Sequence, residues 1–259
     1  MSSPELPAGQ RAWIPPVTLE ERIRWGIIPG RWTLRYRLRK ETRRGERELS
    51  LLPFLCPRGR VALDIGANIG VWAEAMRRCG ATVHAFEPNP KLFGMLRAGA
   101  APDGVTLHAL ALSDRAGEAV LMVPRGRRGY SNQGATLSAE KIGAREFGSV
   151  NVATARLDDL GIDDVGFMKI DVEGHELAVI AGAERTIARW RPTLVVELEE
   201  RHTRRPIEQD LDRIRALGYE AFCLVDGVLT LAARVDLDRH HRNPADRAAY
   251  VFNWIFLPR

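Results

Sequence analysis

One stretch constrains the fold more than any other: Arg60-Val-Ala-Leu-Asp-Ile-Gly-Ala-Asn-Ile-Gly-Val-Trp72. Val61 to Ile65 is a short apolar run, β-branched at both ends, which suits a strand buried on both faces. Gly66 permits a backbone conformation that a Cβ forbids. Asn68 is placed to cap a helix beginning near Ile69. Gly70 removes a side chain where that helix meets a ligand or the strand. Strand, glycine turn and helix together point free N–H groups and a positive helix end at one spot, where nucleotide-like cofactors bind.

Downstream, Ala81 to Glu87 reads as the next strand, with Glu87 at its C-terminal end. An acid about 20 positions past the glycine turn is where a ribose diol finds its acceptor. The dinucleotide fingerprint needs a middle glycine so that a pyrophosphate can approach, and Asn68 stands there. Asp64, at the tip of the first strand, also faces phosphate badly. It suits a cationic or zwitterionic ligand. S-adenosylmethionine has a ribose, an adenine, a sulfonium and an amino-acid end, and no phosphate.

Six blocks then occur in order: Asp64-Ile-Gly-Ala-Asn-Ile-Gly70, Phe86-Glu-Pro-Asn-Pro90, Leu112-Ser-Asp114, Leu157-Asp-Asp-Leu160, Lys169-Ile-Asp-Val-Glu-Gly-His-Glu176 and Val195-Val-Glu-Leu198. With them the chain resembles the FkbM-type S-adenosylmethionine-dependent methyltransferases from about Arg60 to about Glu200. The Lys-Ile-Asp-Val-Glu-Gly block is the specific one. The resemblance implies an α/β fold, the Rossmann-like class I methyltransferase fold: a mainly parallel seven-stranded sheet with one antiparallel strand and helices on both faces. It implies that Asp64 and the turn through Gly66, Asn68 and Gly70 hold the methionine end, and that Glu87 takes the ribose hydroxyls. Asn89 lies just beyond Glu87, and Ser113 or Asp114 approaches the adenine.

The strand and helix pattern agrees. After two strand–helix units, Val105 to Leu112 supplies a third strand, Val165 to Val172 a fourth and Pro192 to Leu198 a fifth. His175 to Trp190 reads as one helix with a broad apolar face, and Ile207 to Leu217 as another, ended by Gly218. Tyr219 to Val225 and Tyr250 to Leu257 close the sheet, the lack of a helix between them suggesting an antiparallel end strand. Ala119 to Val123 and Val150 to Arg156 are extra strand-like runs. Between them Pro124 to Leu137 reads as a long loop over the open end of the sheet, with Arg125, Arg127, Arg128, Tyr130 and Asn132 as candidate substrate contacts.

Residues 60–259 are expected to form the methyltransferase domain and residues 1–59 a basic extension with leading helices. Residues 1–20 read as a flexible lead-in and Glu46 to Leu55 as a helix. Between Arg31 and Arg47 the chain holds eight Arg or Lys and two Glu, against a net charge of +5 overall. Arg31 to Lys40 fits strand alternation and helical stacking equally well. Its basic side suits a solvated face or an anionic partner. Cys56, Cys79 and Cys223 have no metal-ligand spacing, and no secretion signal or continuous apolar span is evident, so a cytoplasmic location is expected.

Asp171, Glu173 and Glu197 follow the fourth and fifth strands, beyond whose carboxyl ends ligands bind. Glu173 is the first choice for a base or acceptor-binding group, Asp171 orients cofactor or acceptor, and His202 has a pKa range suited to base work. His175 is nearby. Lys169, inside an apolar strand, requires an acid partner such as Asp171, Glu173 or Glu197. Asp171, Glu173 and Glu197 offer hard oxygen ligands, but hydrogen bonds and ion pairs account for them, and no metal is expected. The function expected is S-adenosylmethionine-dependent O-methylation of a hydroxyl on a small molecule or glycan. Two alternatives stay open: a nucleotide-sugar or NAD-dependent enzyme on the same fold, and a nucleic-acid-binding methyltransferase using the basic arm. Against the last, the fourth strand lacks the Asn-Pro-Pro-aromatic block of base-modifying enzymes, so nucleic acid is disfavoured.

Overall fold

The computed structural model describes residues 13–18, 30–100, 104–126, 129–130, 134–143 and 146–259. The strands, in chain order, are β1 (Val61–Ile65), β2 (Thr82–Phe86), β3 (Val105–His108), β4 (Ala111–Leu112), β5 (Gly117–Gly126), β6 (Gly129–Tyr130), β7 (Phe147–Ala155), β8 (Val165–Ile170), β9 (Thr193–Glu197), β10 (Tyr219–Val225), β11 (Val228–Leu231) and β12 (Asn253–Pro258). Eight form one sheet in the order β11-β10-β12-β9-β8-β1-β2-β3. The run β9, β8, β1, β2, β3 is parallel throughout. β12 enters antiparallel to β9, and β10 antiparallel to β12. These are the seven strands expected, with the reversed strand inside the edge.

The eighth strand, β11, is an addition. Asp226 and Gly227 lie at φ 51° and 81°, the two left-handed residues of a tight hairpin, and fold Val228–Leu231 back on β10. The central strand β8 is buried at every position, as a parallel strand covered on both faces must be. Two apolar clusters lie on opposite faces of the sheet. Leu63, Ile65, Met168, Ile170 and Val196 belong to one, and Ala62, Phe167, Val195 and Ile255 to the other. Leu38, Leu49, Leu52 and Cys56 join the second cluster, so residues ahead of β1 share the core of the sheet.

Arg31 to Lys40 is helical, within Gly30–Arg44, because Leu34 and Leu38 one turn apart both bury. The helix expected over Glu46 to Leu55 is a 3-10 turn (Arg47–Leu51) followed by Leu52–Leu55, which Pro53 is suited to begin. The helix expected over His175 to Trp190 is two, Glu176–Ala181 and Glu184–Trp190. The break falls at Gly182, where a Cβ would stand 1.9 Å from the Ser113 carbonyl oxygen. Asp158, from the Leu157-Asp-Asp-Leu160 block, accepts from the backbone N–H of Arg185 and of Thr186 and so starts the second helix.

The loop expected over Pro124 to Leu137 is partly regular. β5 runs through Arg125 to Gly126 and turns back as β6, and β4-β7-β5-β6 form a second sheet with its own small core of Leu121, Val123, Val150 and Val152. Arg127, Arg128 and Asn132 lie outside the described residues. So does most of the lead-in over residues 1–20. Of the part described, Trp13 packs edge-on against Tyr130, and Pro16 accepts a hydrogen bond from Lys91 Nζ.

Gly66 sits where β1 meets the end of β8. It has φ +84°, and a Cβ there would stand 1.8 Å from the Asp171 carbonyl oxygen. Gly66→Ala is expected to lower stability by about 2 kcal/mol or more, from backbone strain plus displacement of the β8 loop. The shift of a denaturant midpoint measures it.

Candidate active site

Beyond the carboxyl ends of β1, β2, β8 and β9 lies a cleft of about 1180 Å³. One end is walled by Ile65 to Asn68, Phe86 to Pro88 and Leu110 to Leu112. The other is walled by Asp171, Glu173, Glu197 and His202, with Gly134 to Leu137 and Lys141 across from them.

At the first end the backbone N–H groups of Gly66, Ala67, Asn68 and Gly70 are already used. Gly66 and Ala67 donate to the Phe86 carbonyl, Asn68 donates to Glu87 Oε2, and Gly70 donates to Ala67. The helix Val71–Arg78 starts later than expected and is capped across the turn, by Asp64 Oδ2 accepting from the Ala73 N–H at 2.8 Å. Asn68 therefore caps nothing with its side chain; it holds a left-handed turn at φ 52° and gives its N–H to Glu87. Gly70 is required by its left-handed backbone at φ +90°, and a Cβ there would meet the tip of Leu96, from the neighbouring helix Pro90–Gly99, rather than a ligand. The positive helix end is thus neutralised by protein carboxylates. A pyrophosphate finds no free cradle here, whereas a ligand that donates hydrogen bonds finds acceptors.

Glu87 is that acceptor. It is buried, its oxygens take the N–H groups of Asn68 and Asn89, and each retains a lone pair for a further donor. Burial, the largest influence, pushes its carboxyl up to about 8, against those two N–H bonds. Asp64 is likewise pushed up to about 7 by burial. Asn89 is not part of the cleft wall. It caps the helix Pro90–Gly99 by accepting from the Lys91 N–H, and its Nδ2 is buried without a partner. Asp114 also lies off the wall, accepting from Ser113 Oγ, which in turn bonds His175 Nε2 at 2.8 Å. His175 does line the cleft, and burial lowers its pKa.

The second end is a charged cluster. Glu173 stands at φ 59° in the turn after β8. Its Oε1 accepts from the Gly134 N–H, its Oε2 is ion-paired with Lys141, and its carbonyl accepts from Thr136 Oγ1. Glu173 is therefore the anchor that ties the Gly134–Lys141 segment over the cleft. His202 is buried, not exposed, with Nε2 3.6 Å from Glu173 and 3.4 Å from Glu199. Glu199 is held low by bonds from Arg201 and Tyr250, outweighing its burial. Glu197 lines the cleft, and burial together with Asp171 raises its carboxyl well above the usual range. Lys141 is pulled down to about 8 by burial, despite acids around it. Atoms of Glu173, Glu197 and His202 lie within 4.8 Å of one another, so His202 replaces Asp171 in the oxygen-rich set weighed from sequence. Lys141 already brings a positive charge to that set.

Between the two ends lies Lys169, fully buried next to the C-terminal end of β8. Its Nζ donates to Asn253 Oδ1 at 2.8 Å and lies 3.9 Å from both Asp171 and Glu46, over the face of Trp72. Asp171 is one of the partners expected. Glu46 is not, and it also accepts from Trp72 Nε1 and Asn253 Nδ2. Residues missed in the sequence are thus Glu46, Asn253, Lys141 and Thr136. The one available signal was the cost of a buried lysine, which demands more neutralisation than one half-exposed acid provides.

The strand order and the acid at the tip of β2 define a class I methyltransferase fold. A model of the FkbM methyltransferase domain matches residues 64–221, and the chain belongs to that family. It is 32% identical over 158 residues to 31-O-demethyl-FK506 methyltransferase FkbM of Streptomyces tacrolimicus, covering 49% of this chain and 60% of that protein. It is 32% identical over 148 residues to the 2-O-methyltransferase NoeI of Sinorhizobium fredii (strain NBRC 101917 / NGR234), covering 51% and 60%. The matches thus span about 60% of the length of these relatives. A crystal structure of methyltransferase FkbM from Methylobacillus flagellatus KT aligns at TM-score 0.49 and 17% identity, over 76% of this chain and 43% of that one. Among the described residues, no helix is long and apolar enough to cross a membrane.

Proposed function

We propose that the protein transfers a methyl group from S-adenosylmethionine to a hydroxyl of a small-molecule or glycan acceptor. The observation that carries this is Glu87, a buried acceptor at the tip of β2, beside a glycine turn whose N–H groups at Gly66, Ala67, Asn68 and Gly70 are taken by protein carbonyls and by Glu87 itself. That donor set fits a ribose diol without phosphate. The family supports the reaction, and both curated relatives are named for O-methylation. Glu87 would hold the ribose hydroxyls, Phe86 and Leu110 to Leu112 would flank the adenine, and the turn at Gly66 to Asn68 with Asp64 would face the methionine end. Bound there, the cofactor supplies an electrophilic methyl group.

The chain's part is alignment and proton removal. The acceptor would enter beneath Gly134–Lys141, and its hydroxyl would lie among Asp171, Glu173, His202 and Lys141. Glu173 already holds Lys141 and Gly134, so it serves best by fixing this segment and the ring of His202. His202, between two carboxylates, is the better base. The three cysteines are all free thiols, which supports a cytoplasmic location.

Titration calorimetry with S-adenosylmethionine and, separately, NAD tests the reading, followed by an acceptor screen of hydroxylated sugars and polyketides. Binding of the first alone is expected; binding of NAD alone would refute the assignment. With an acceptor in hand, His202→Asn is expected to cut kcat by about 10²–10⁴-fold, the usual contribution of a positioned base. Glu173→Gln should also reduce turnover, through loss of the ordered segment. In both variants the cofactor affinity should stay within about threefold of the parent, less than the loss of one net hydrogen bond. Full activity of His202→Asn would remove it as the base.

A further inference from the structure

The helix Gly30–Arg44 has two working sides. Arg37 and Glu41 line the cleft, and Leu34 and Leu38 bury into the protein. On the opposite side Trp32, Arg35, Tyr36, Arg39, Lys40 and Arg43 recur at three- and four-residue spacing, and all are exposed. This face holds four cations, two large aromatics and no acid. Trp32 is 57% exposed and Tyr36 67%. Large aromatics at such exposure are unusual on a free surface, where a lone apolar residue needs no explanation but an aromatic pair one turn apart among cations that form no ion pair with the described residues does.

We propose that this face is a docking surface for an anionic lipid bilayer. Charge complementarity supplies the attraction, since basic residues near an anionic leaflet each contribute on the order of a factor of five in affinity. Trp and Tyr supply the anchor, because their amphipathic rings settle at headgroup level. A nucleic acid would share the charge term but gains its aromatic term by stacking bases on open ring faces. Here the Arg35 guanidinium lies over the Trp32 ring at 6.0 Å and takes one such face. Contact through the remaining ring surface and polar tip suits a lipid interface better. The helix would lie flat on the bilayer, as a peripheral contact, with Arg37 and Glu41 carried on its flank at the cleft.

The proposal stands apart from the methyl-transfer reading, and its test needs neither cofactor nor acceptor. The full chain is sedimented at physiological salt with vesicles of phosphatidylglycerol and phosphatidylcholine in equal parts, and with phosphatidylcholine alone. Binding to the first and not the second is expected. The double variant R39E/R43E should lose at least about tenfold in partitioning, from the charge contribution above. W32S/Y36S keeps every charge and should lose a similar factor, because the anchor is gone. Both changes are on exposed side chains, so thermal midpoints should match the parent and report an intact fold. Failure to bind anionic vesicles would overturn the proposal, as would unchanged partitioning of both variants. Displacement from vesicles by a single-stranded oligonucleotide, with W32S/Y36S still bound as tightly as the parent, would also overturn it and assign the face to nucleic acid.

Discussion

Replacing Glu87 with alanine is expected to lower the affinity for S-adenosylmethionine by about a hundredfold or more. Two ribose hydroxyls donating to one carboxylate contribute about 1.5–3 kcal/mol each, and the loss of about 3 kcal/mol exceeds a factor of a hundred. The change also strands the buried N–H groups of Asn68 and Asn89, so stability should fall as well. Glu87→Gln separates the effects. It keeps the volume and one acceptor, and should restore much of the stability but little of the affinity. Unchanged binding in Glu87→Ala would show that the cofactor lies elsewhere.

The same residue sets a pH dependence. In the free protein Glu87 is pushed up to about 8, so it is mostly protonated at pH 6 and 7. Hydrogen bonds from a diol favour the ionised form. Binding should therefore release a proton below pH 8 and strengthen as the pH rises toward 8. Calorimetry in buffers of different ionisation enthalpy counts that proton. Stability of the free protein runs the other way. Glu87, Asp64 and Glu176 are raised by burial to about 8, 7 and 7. Between their unfolded values and these, the folded state holds more protons than the unfolded one, so stability falls as pH rises through that window. The free protein should melt higher near pH 6 than near pH 8.5. Saturating cofactor should narrow the difference, because it stabilises the ionised Glu87.

What could be read in the sequence was what local chemistry writes into neighbouring residues. The β1 turn and the acid ending β2 lie within one strand–helix–strand unit, and each has a strict backbone requirement. β8 announces itself by an apolar run interrupted only by Lys169. The Asp226-Gly227 hairpin, which adds the strand β11, went unread although that dipeptide between apolar residues is a strong turn signal. The ambiguous Arg31 to Lys40 segment was not legible, because Leu34 and Leu38 satisfy both periods until a neighbour decides which face is covered. Asn89 and Asp114, which lie off the cleft wall, show a related ambiguity. A polar residue just past a strand end looks alike whether it meets a ligand or caps a helix. Glu46, Lys141 and Asn253 could not be found at all by spacing. Glu46 and Lys141 reach the cleft from different elements, and Asn253, which bonds Lys169 behind it, also bonds Glu48 across 205 positions.

Glu46 and Asn253 converge on Lys169, and removing it is the most damaging change to be expected. Its ammonium is the positive charge at the centre of Glu46, Asp171, Glu197 and Glu48, and those acids together hold its pKa above the usual lysine value against a strong burial penalty. Lys169→Met keeps the volume, yet leaves buried acids facing one another without their counter-charge and Asn253 Oδ1 without its donor. Breaking a buried pair by removing one partner costs about 3–5 kcal/mol, far more than the pair contributes net. For a chain of this size that lowers Tm by roughly 6–20 °C. The deficit has a sign with pH. Without the lysine the acids titrate higher in the folded state, so the variant regains stability as they protonate, and the gap to the parent should narrow from pH 8 to pH 5. A partial rescue should follow from Lys169→Met combined with Glu46→Gln, which keeps an acceptor for Trp72 Nε1 and deletes one of the opposed charges. A deficit in Lys169→Met that is independent of pH, or a double variant no more stable than the single, would mean that the lysine acts through packing against Trp72 and not as the counter-charge of the site.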